Sequence, residues 1–147
     1  DFKLASGTFV NVGQLRLDAL SALAPLAQDI VLTGHDRDEV GLLVFPNGAA
    51  CRSLSGLDET APLREVLDHP AVRSHIANGM SKLRNQGGGS SRYATRARLL
   101  ETPASVDAGE ITDKGYINQR AVLDNRAADI ALMRGADPGA YIALPPS

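Results

Sequence analysis

Two uninterrupted apolar runs separated by a short charged turn constrain this chain more than any other feature. Ile30-Val31-Leu32, within residues 29–33, is closed by Gly34; His35-Asp36-Arg37-Asp38 follows, and residues 40–45 are then apolar up to Pro46-Asn47-Gly48. Runs of this length bounded by turn residues read as strands. Two of them across a short polar turn make an antiparallel pair, around which the remaining segments must pack.

Those segments supply a third strand and several helices. Residues 95–100 read as a strand with Arg96 and Arg98 on one face and Ala97 and Leu99 on the other. Leu15, Leu17, Ala19, Leu20, Leu23 and Ala24 fit a helix over residues 14–24, ending near Pro25. Asp68-His69-Pro70 marks another helix start, because a side-chain acceptor precedes a proline whose missing N–H costs nothing in the first turn. Val72, Ile76, Met80 and Leu83 carry that helix to about residue 86, where Gly87-Gly88-Gly89 stops it. A last helix is expected over residues 117–134, with Ile117, Ala121, Val122, Leu123, Ile130 and Leu132 toward the core. Residues 48–60 read as loop with a helical turn, and 135–147, with Pro138, Pro145 and Pro146, as a loosely held tail. At the start, residues 2–4 and 8–10 are short β-favouring runs joined by Ala5-Ser6-Gly7, a hairpin with glycine where positive φ is often required. The fold class is α/β in composition (α+β in arrangement): a small N-terminal β-hairpin, then a three-stranded sheet flanked by helices.

Composition narrows the function classes. The 147 residues suit one domain, and a net charge of −2 from 15 basic and 17 acidic residues gives no electrostatic argument for nucleic acid or an anionic membrane. Cys51 is the only cysteine, so no internal disulfide forms and a structural zinc site is not expected. No apolar run approaches the ~18 residues of a membrane span, and the cytoplasm is the natural setting. His35, His69 and His75 have no metal-ligand spacing. Gly87-Gly88-Gly89-Ser90-Ser91-Arg92 is not a phosphate loop, because no GK[ST] follows and the order is helix, glycines, strand.

Each end of the chain sets a lysine near a glycine in a small, polar stretch: Asp1-Phe2-Lys3-Leu4-Ala5-Ser6-Gly7-Thr8-Phe9-Val10, and Glu110-Ile111-Thr112-Asp113-Lys114-Gly115-Tyr116-Ile117-Asn118-Gln119-Arg120. On residue type alone Lys114 is a solvated loop lysine, Lys3 an edge-strand lysine that discourages sheet pairing, and Gly7 a hairpin glycine. The first stretch, however, resembles the crossover hairpin of the acyl-adenylate-forming enzymes: acyl- and aryl-CoA synthetases, adenylation domains and luciferases. The run from Gly109 to Leu123 is similar to feruloyl-CoA synthetases, which carry an "ITDKG…INQRAVL" tract near their C-terminus. One departure is visible: the commoner pattern sets lysine directly after the glycine, where this chain has Tyr116, and Lys114 precedes Gly115.

The resemblance implies that residues 1–134 are the C-terminal lid domain of a larger AMP-forming CoA ligase, with residues 1–12 its crossover hairpin and Asp1 at the hinge. It implies ATP, coenzyme A and Mg2+ as cofactors, an aromatic carboxylate as substrate, and an N-terminal adenylate-forming domain as partner. Apolar surface left bare by that partner would offer a fragment a homodimer interface. Lys114 would bridge the acyl carboxylate and the α-phosphate during adenylation. Lys3 would act in the thioester step, with Ser6-Gly7 lining the thiol channel, where any Cβ would narrow the passage. Arg120 would anchor the loop. Arg92, with Arg96 and Arg98, would touch coenzyme A phosphates as forked donors, although an arginine-bearing strand face is also commonly just solvated. The residues leave two alternatives: a fatty acyl-CoA ligase or carrier-loading adenylation domain, and a non-catalytic α/β binding module.

Overall fold

The computed structural model describes residues 1–147 as a two-stranded hairpin beside a four-stranded mixed sheet. The hairpin is β1 (Phe2–Lys3) and β2 (Phe9–Val10), followed by helix α1 (Val12–Leu23), which Asn11 caps by accepting from the Gln14 amide. Strands β3 (Ala27–Thr33) and β4 (Val40–Pro46) form the expected antiparallel pair, in register Leu32 to Leu42. Helices α2 (Gly48–Ser55), α3 (Leu63–Asp68) and α4 (Pro70–Asn85) then lead to β5 (Ala94–Leu99), which lies parallel to β4. Helices α5 (Gln119–Asn125) and α6 (Ala127–Arg134), a 3-10 turn (Pro138–Ala140) and β6 (Ile142–Ala143) complete the chain.

The unbroken apolar runs have a direct cause: the sheet is covered on both faces, so successive side chains are buried alternately on opposite sides. Ile30, Leu32, Leu42, Val44, Ala97 and Leu99 meet α1 and α4 through Leu15, Ala19, Leu23, Ile76, Met80 and Leu83. Val31, Leu43, Phe45 and Leu100 meet Val122 of α5 and Met133 of α6. Helices α1 and α4 touch at Gly79, where a Cβ would lie 2.5 Å from the Ala22 carbonyl oxygen, so only glycine admits this approach. Cys51 on α2 is buried, and burial pushes its thiol pKa up.

Five expectations change. Residues 48–55, expected as part of a loop with a helical turn, form the helix α2, which Asn47 caps by accepting from the Ala50 amide. The sheet has four strands rather than three, because Ile142 pairs with Ala97. The tail is not loose: Arg73 donates to the carbonyls of Pro138 and Tyr141, Arg84 to that of Pro145 and Arg98 to that of Ala140, and Arg96 stacks on Tyr141 at 3.9 Å. The single helix over 117–134 is two, broken at Arg126 (φ −107°, ψ 30°). Met133 shares the helical face of Val122 by ordinary helical spacing and enters the core, while Leu132 falls off that face and is 46 % exposed. Finally, His69 rather than Asp68 caps α4, its Nδ1 accepting from the Ala71 amide.

Deleting residues 141–147 would strip Ile142 from the core, take the Tyr141 carbonyl from Arg73 and take the Pro145 carbonyl from Arg84. The expected cost is about 3 kcal/mol, a fall in melting temperature of roughly 10 °C. A merely trailing tail would leave the melting temperature unchanged, a difference differential scanning calorimetry resolves.

Candidate functional site

Lys114 stands at the apex of a small hairpin built from the loop between β5 and α5. The Gly115 amide donates to the Thr112 carbonyl at 2.8 Å and the Thr112 amide to the Tyr116 carbonyl at 2.7 Å. Below them Ile111 bridges Ile117, and the Asn118 amide donates to the Glu110 carbonyl at 2.8 Å. Three loop residues ending in one with positive φ are a standard hairpin closure, and Gly115 supplies that conformation at φ +84°. Glycine thus follows the lysine because the turn's last position needs it, which leaves Asp113 and Lys114 at the tip. Lys114 is exposed and takes part in none of the ion pairs.

The base of this hairpin is fixed by an ion pair. Glu110 is 2 % exposed and accepts from Arg126 on both oxygens, from Nε and Nη2 at 2.9 Å each. Arg126 also donates to the carbonyls of Thr102 and Pro103, and its guanidinium lies over the Phe45 ring. The Arg126 hydrogen bonds hold the Glu110 carboxyl below the usual glutamate range despite burial. On the opposite stem, Gln119 exchanges two hydrogen bonds with Leu32 on β3. Arg120, the expected anchor, is exposed and only approaches Asp124 on its own helix at 3.9 Å. Glu110, Arg126 and Gln119 carry no local sequence signal, because their partners lie 16 to 87 residues away. A hollow of about 420 Å3 opens under the turn, lined by Phe45, Leu63, Leu100, Ile111 and Ile117 among others.

The N-terminal hairpin presents a second constellation. Lys3 pairs with Phe9 across the strands and rests its Nζ 4.8 Å from the ring centroid; Phe9 itself is 65 % exposed. The root is fastened to the β3–β4 turn: the Ala5 amide donates to the Arg37 carbonyl, the Asp36 amide to the Lys3 carbonyl, and Phe2 packs edge-on to His35. At the tip, Ser6 donates its hydroxyl to Thr8, and Gly7 (φ +87°) has open space where a Cβ would stand. Arg92 is exposed and lines a groove of about 200 Å3 with Phe9, Asn11, Gln14 and Asp18. Hence Lys3, Ser6, Gly7 and Phe9 share one hairpin, Arg92 lines the same groove as Phe9, and Lys114 lies at a separate hollow.

Arg96 and Arg98 depart from the expectation of a phosphate-facing or solvated pair. Arg96 donates to the carbonyls of Met133 and Gly135, and Arg98 is ion-paired to Asp129 at 2.8 Å. The cause is α6, which covers that face of β5. No three or more His, Cys, Asp or Glu side chains gather where they could hold a metal ion. No helix is long and apolar enough to cross a membrane.

Comparison with solved structures gives the architecture its context. The A-PCP didomain of carboxylic acid reductase from Segniliparus rugosus, in complex with AMP, superposes with a TM-score of 0.67 at 22 % identity, covering 89 % of this chain and 17 % of that one. The A domain of that reductase, in complex with AMP and a co-purified carboxylic acid, gives 0.66 at 21 %, covering 88 % and 18 %. The chain shares their fold. The adenylation domain of a carboxylate reductase from Mycobacterium chelonae gives 0.58 at 18 %, over 88 % of this chain and 18 % of that one. The fold expected from the resemblance, that of the C-terminal domain of adenylate-forming enzymes, is the one found, and the chain spans under a fifth of each neighbour's length. No protein-family model matches the chain, and no curated protein sequence does.

Proposed function

We propose that this chain is the mobile C-terminal lid of an ATP-dependent, AMP-forming acid–CoA ligase acting on an aromatic carboxylate of the hydroxycinnamate class, such as ferulate. The observation that carries the reading is Lys114: an unpaired ammonium held at the apex of a closed turn, on a fold that its neighbours carry in enzymes solved with AMP. In adenylation the substrate carboxylate attacks the α-phosphate of ATP and pyrophosphate leaves. Lys114, brought to the nucleotide by rotation of the whole domain, would draw the two anions into line. The larger N-terminal domain would hold the nucleotide, the acid and the magnesium that accompanies ATP, and would cover apolar surface such as Phe9, Val106 and Tyr116. A second orientation would bring Lys3 and the open tip at Ser6-Gly7 to the acyl-adenylate, while Arg92 beside Phe9 takes a phosphate of coenzyme A.

A second reading has one observation in its favour. A structural neighbour is an A-PCP didomain, and the same lid would serve an enzyme that passes the acyl group to a carrier-bound thiol.

Assay of the full-length protein with ferulate or a fatty acid, and with coenzyme A or a carrier protein as acceptor, separates these readings. Acid-dependent exchange of pyrophosphate into ATP is expected with the aromatic acid, and its absence with every acid would leave only the binding module. Gly7→Ala is expected to keep that exchange within about twofold while lowering thioester formation about tenfold. The added methyl meets no neighbour in the free domain, so the stability cost is the left-handed backbone alone, about 1 kcal/mol.

A further inference from the structure

We propose that Gln119 is a positioning residue that fixes the direction in which the Lys114 hairpin points, an inference that rests on the reading of Lys114 as the adenylation lysine. Strand β3 is an edge of the four-stranded sheet. An edge strand turns a row of backbone N–H and C=O groups outward, and those that are buried must find partners. Leu32 is fully buried, and both of its backbone groups are met by one side chain. The Gln119 amide Nε2 donates to the Leu32 carbonyl at 2.6 Å, and the Leu32 amide donates to Oε1 at 3.1 Å. A primary amide presents donor and acceptor side by side, so this pairing imitates one rung of a neighbouring strand and resists rotation more than a single bond would.

Its place in the chain gives the clamp its consequence. Gln119 is the first residue of α5, next to the capping Asn118, whose own amide closes the base of the turn on Glu110. The rungs from Glu110–Asn118 through Thr112–Tyr116 continue that grip to the tip. One stem is therefore held by the Glu110–Arg126 pair and the other by the edge of the sheet. Lys114 is left with its own side-chain torsions, and the motion that delivers it belongs to the whole domain rather than to a flexible loop.

The test uses Gln119→Met, which keeps length and bulk and removes both hydrogen bonds, and Gln119→Asn, which keeps the amide but is too short to reach. In the full-length protein, amide exchange at Thr112, Gly115 and Tyr116 is expected to rise about tenfold in both variants, with Leu42 and Leu43 on β4 unchanged. The turnover of acyl-adenylate formation is expected to fall about 10- to 100-fold, with KM for ATP and acid within about twofold. Thioester formation from preformed acyl-adenylate is expected to stay as in the wild type. Wild-type exchange at the turn, or equal acceleration on β4, overturns the clamp. Loosened exchange with full adenylation turnover overturns the positioning role. Lys114→Ala, run beside them, reports separately on the underlying reading: normal adenylation in that variant removes the lysine's role, and this proposal with it.

Discussion

Lys114→Ala in the full-length protein is expected to lower acyl-adenylate formation about 10²- to 10³-fold, the usual loss when one preorganised charge-stabilising group is removed from a transition state. The rate of thioester formation from preformed acyl-adenylate is expected to change by less than about threefold, because the proposed function assigns the second step to Lys3 and Ser6-Gly7 at the opposite end of the chain. Lys3→Ala is expected to show the reverse pattern. Both variants should fold normally. Lys114 makes no ion pair, and Lys3 gives up only its contact with the exposed Phe9 ring, worth about 0.5–1 kcal/mol at such a site. Pyrophosphate exchange reads the first step, and single-turnover transfer from isolated acyl-adenylate reads the second. Near-normal rates for both variants in both half-reactions would end the assignment of roles to these two lysines.

The parts of this architecture that were legible in the sequence are those whose cause is local or periodic. Residues 30–32 and 40–45 announce strands because burial on both faces demands unbroken apolar character. Val72, Ile76, Met80 and Leu83 announce α4 because one helical face meets the sheet. Helix α3 escaped because it is six residues long and Pro62 gives it no side-chain cap. Strand β6 escaped because two residues, Ile142 and Ala143, carry no period. The core face of the last helix was misjudged at Leu132: Val122, Ile130 and Met133 share one face by helical spacing, and Leu132 falls outside it. The site divides in the same way. A lysine beside a glycine in a polar stretch is visible as a candidate, but what holds it depends on Gln119 finding β3 and Glu110 finding Arg126. Such pairings arise from topology, and no spacing in the chain encodes them.

Arg126→Ala should be the most destabilising single substitution in the loop region. Of the paired side chains it touches, Glu110 is 2 % exposed, and Arg126 itself keeps only 10 % of its side-chain surface. Deleting the guanidinium would strand a buried carboxylate and remove the donors from the Thr102 and Pro103 carbonyls. Breaking a buried pair from one side costs about 3–5 kcal/mol, a melting temperature lower by roughly 10–15 °C for a domain of this size. Glu110→Gln is expected to cost less, about 2 kcal/mol, since the amide oxygen still accepts one bond from Arg126. The pair also sets an acid limb. The Arg126 hydrogen bonds depress the Glu110 carboxyl below its ordinary value of 4.5 in the folded protein, so the unfolded chain takes up that proton first as pH falls. The contribution is therefore complete above that ordinary value and is lost on acidification through the depressed folded value. Urea titrations at pH 7 and at a series of points below pH 4.5 should show the wild type converging on Glu110→Gln as acid is added. Parallel curves for the two proteins would mean that the pair contributes no charge-dependent stability. A wild-type melting temperature for Arg126→Ala would mean that the hairpin carrying Lys114 is held by something other than its buried base.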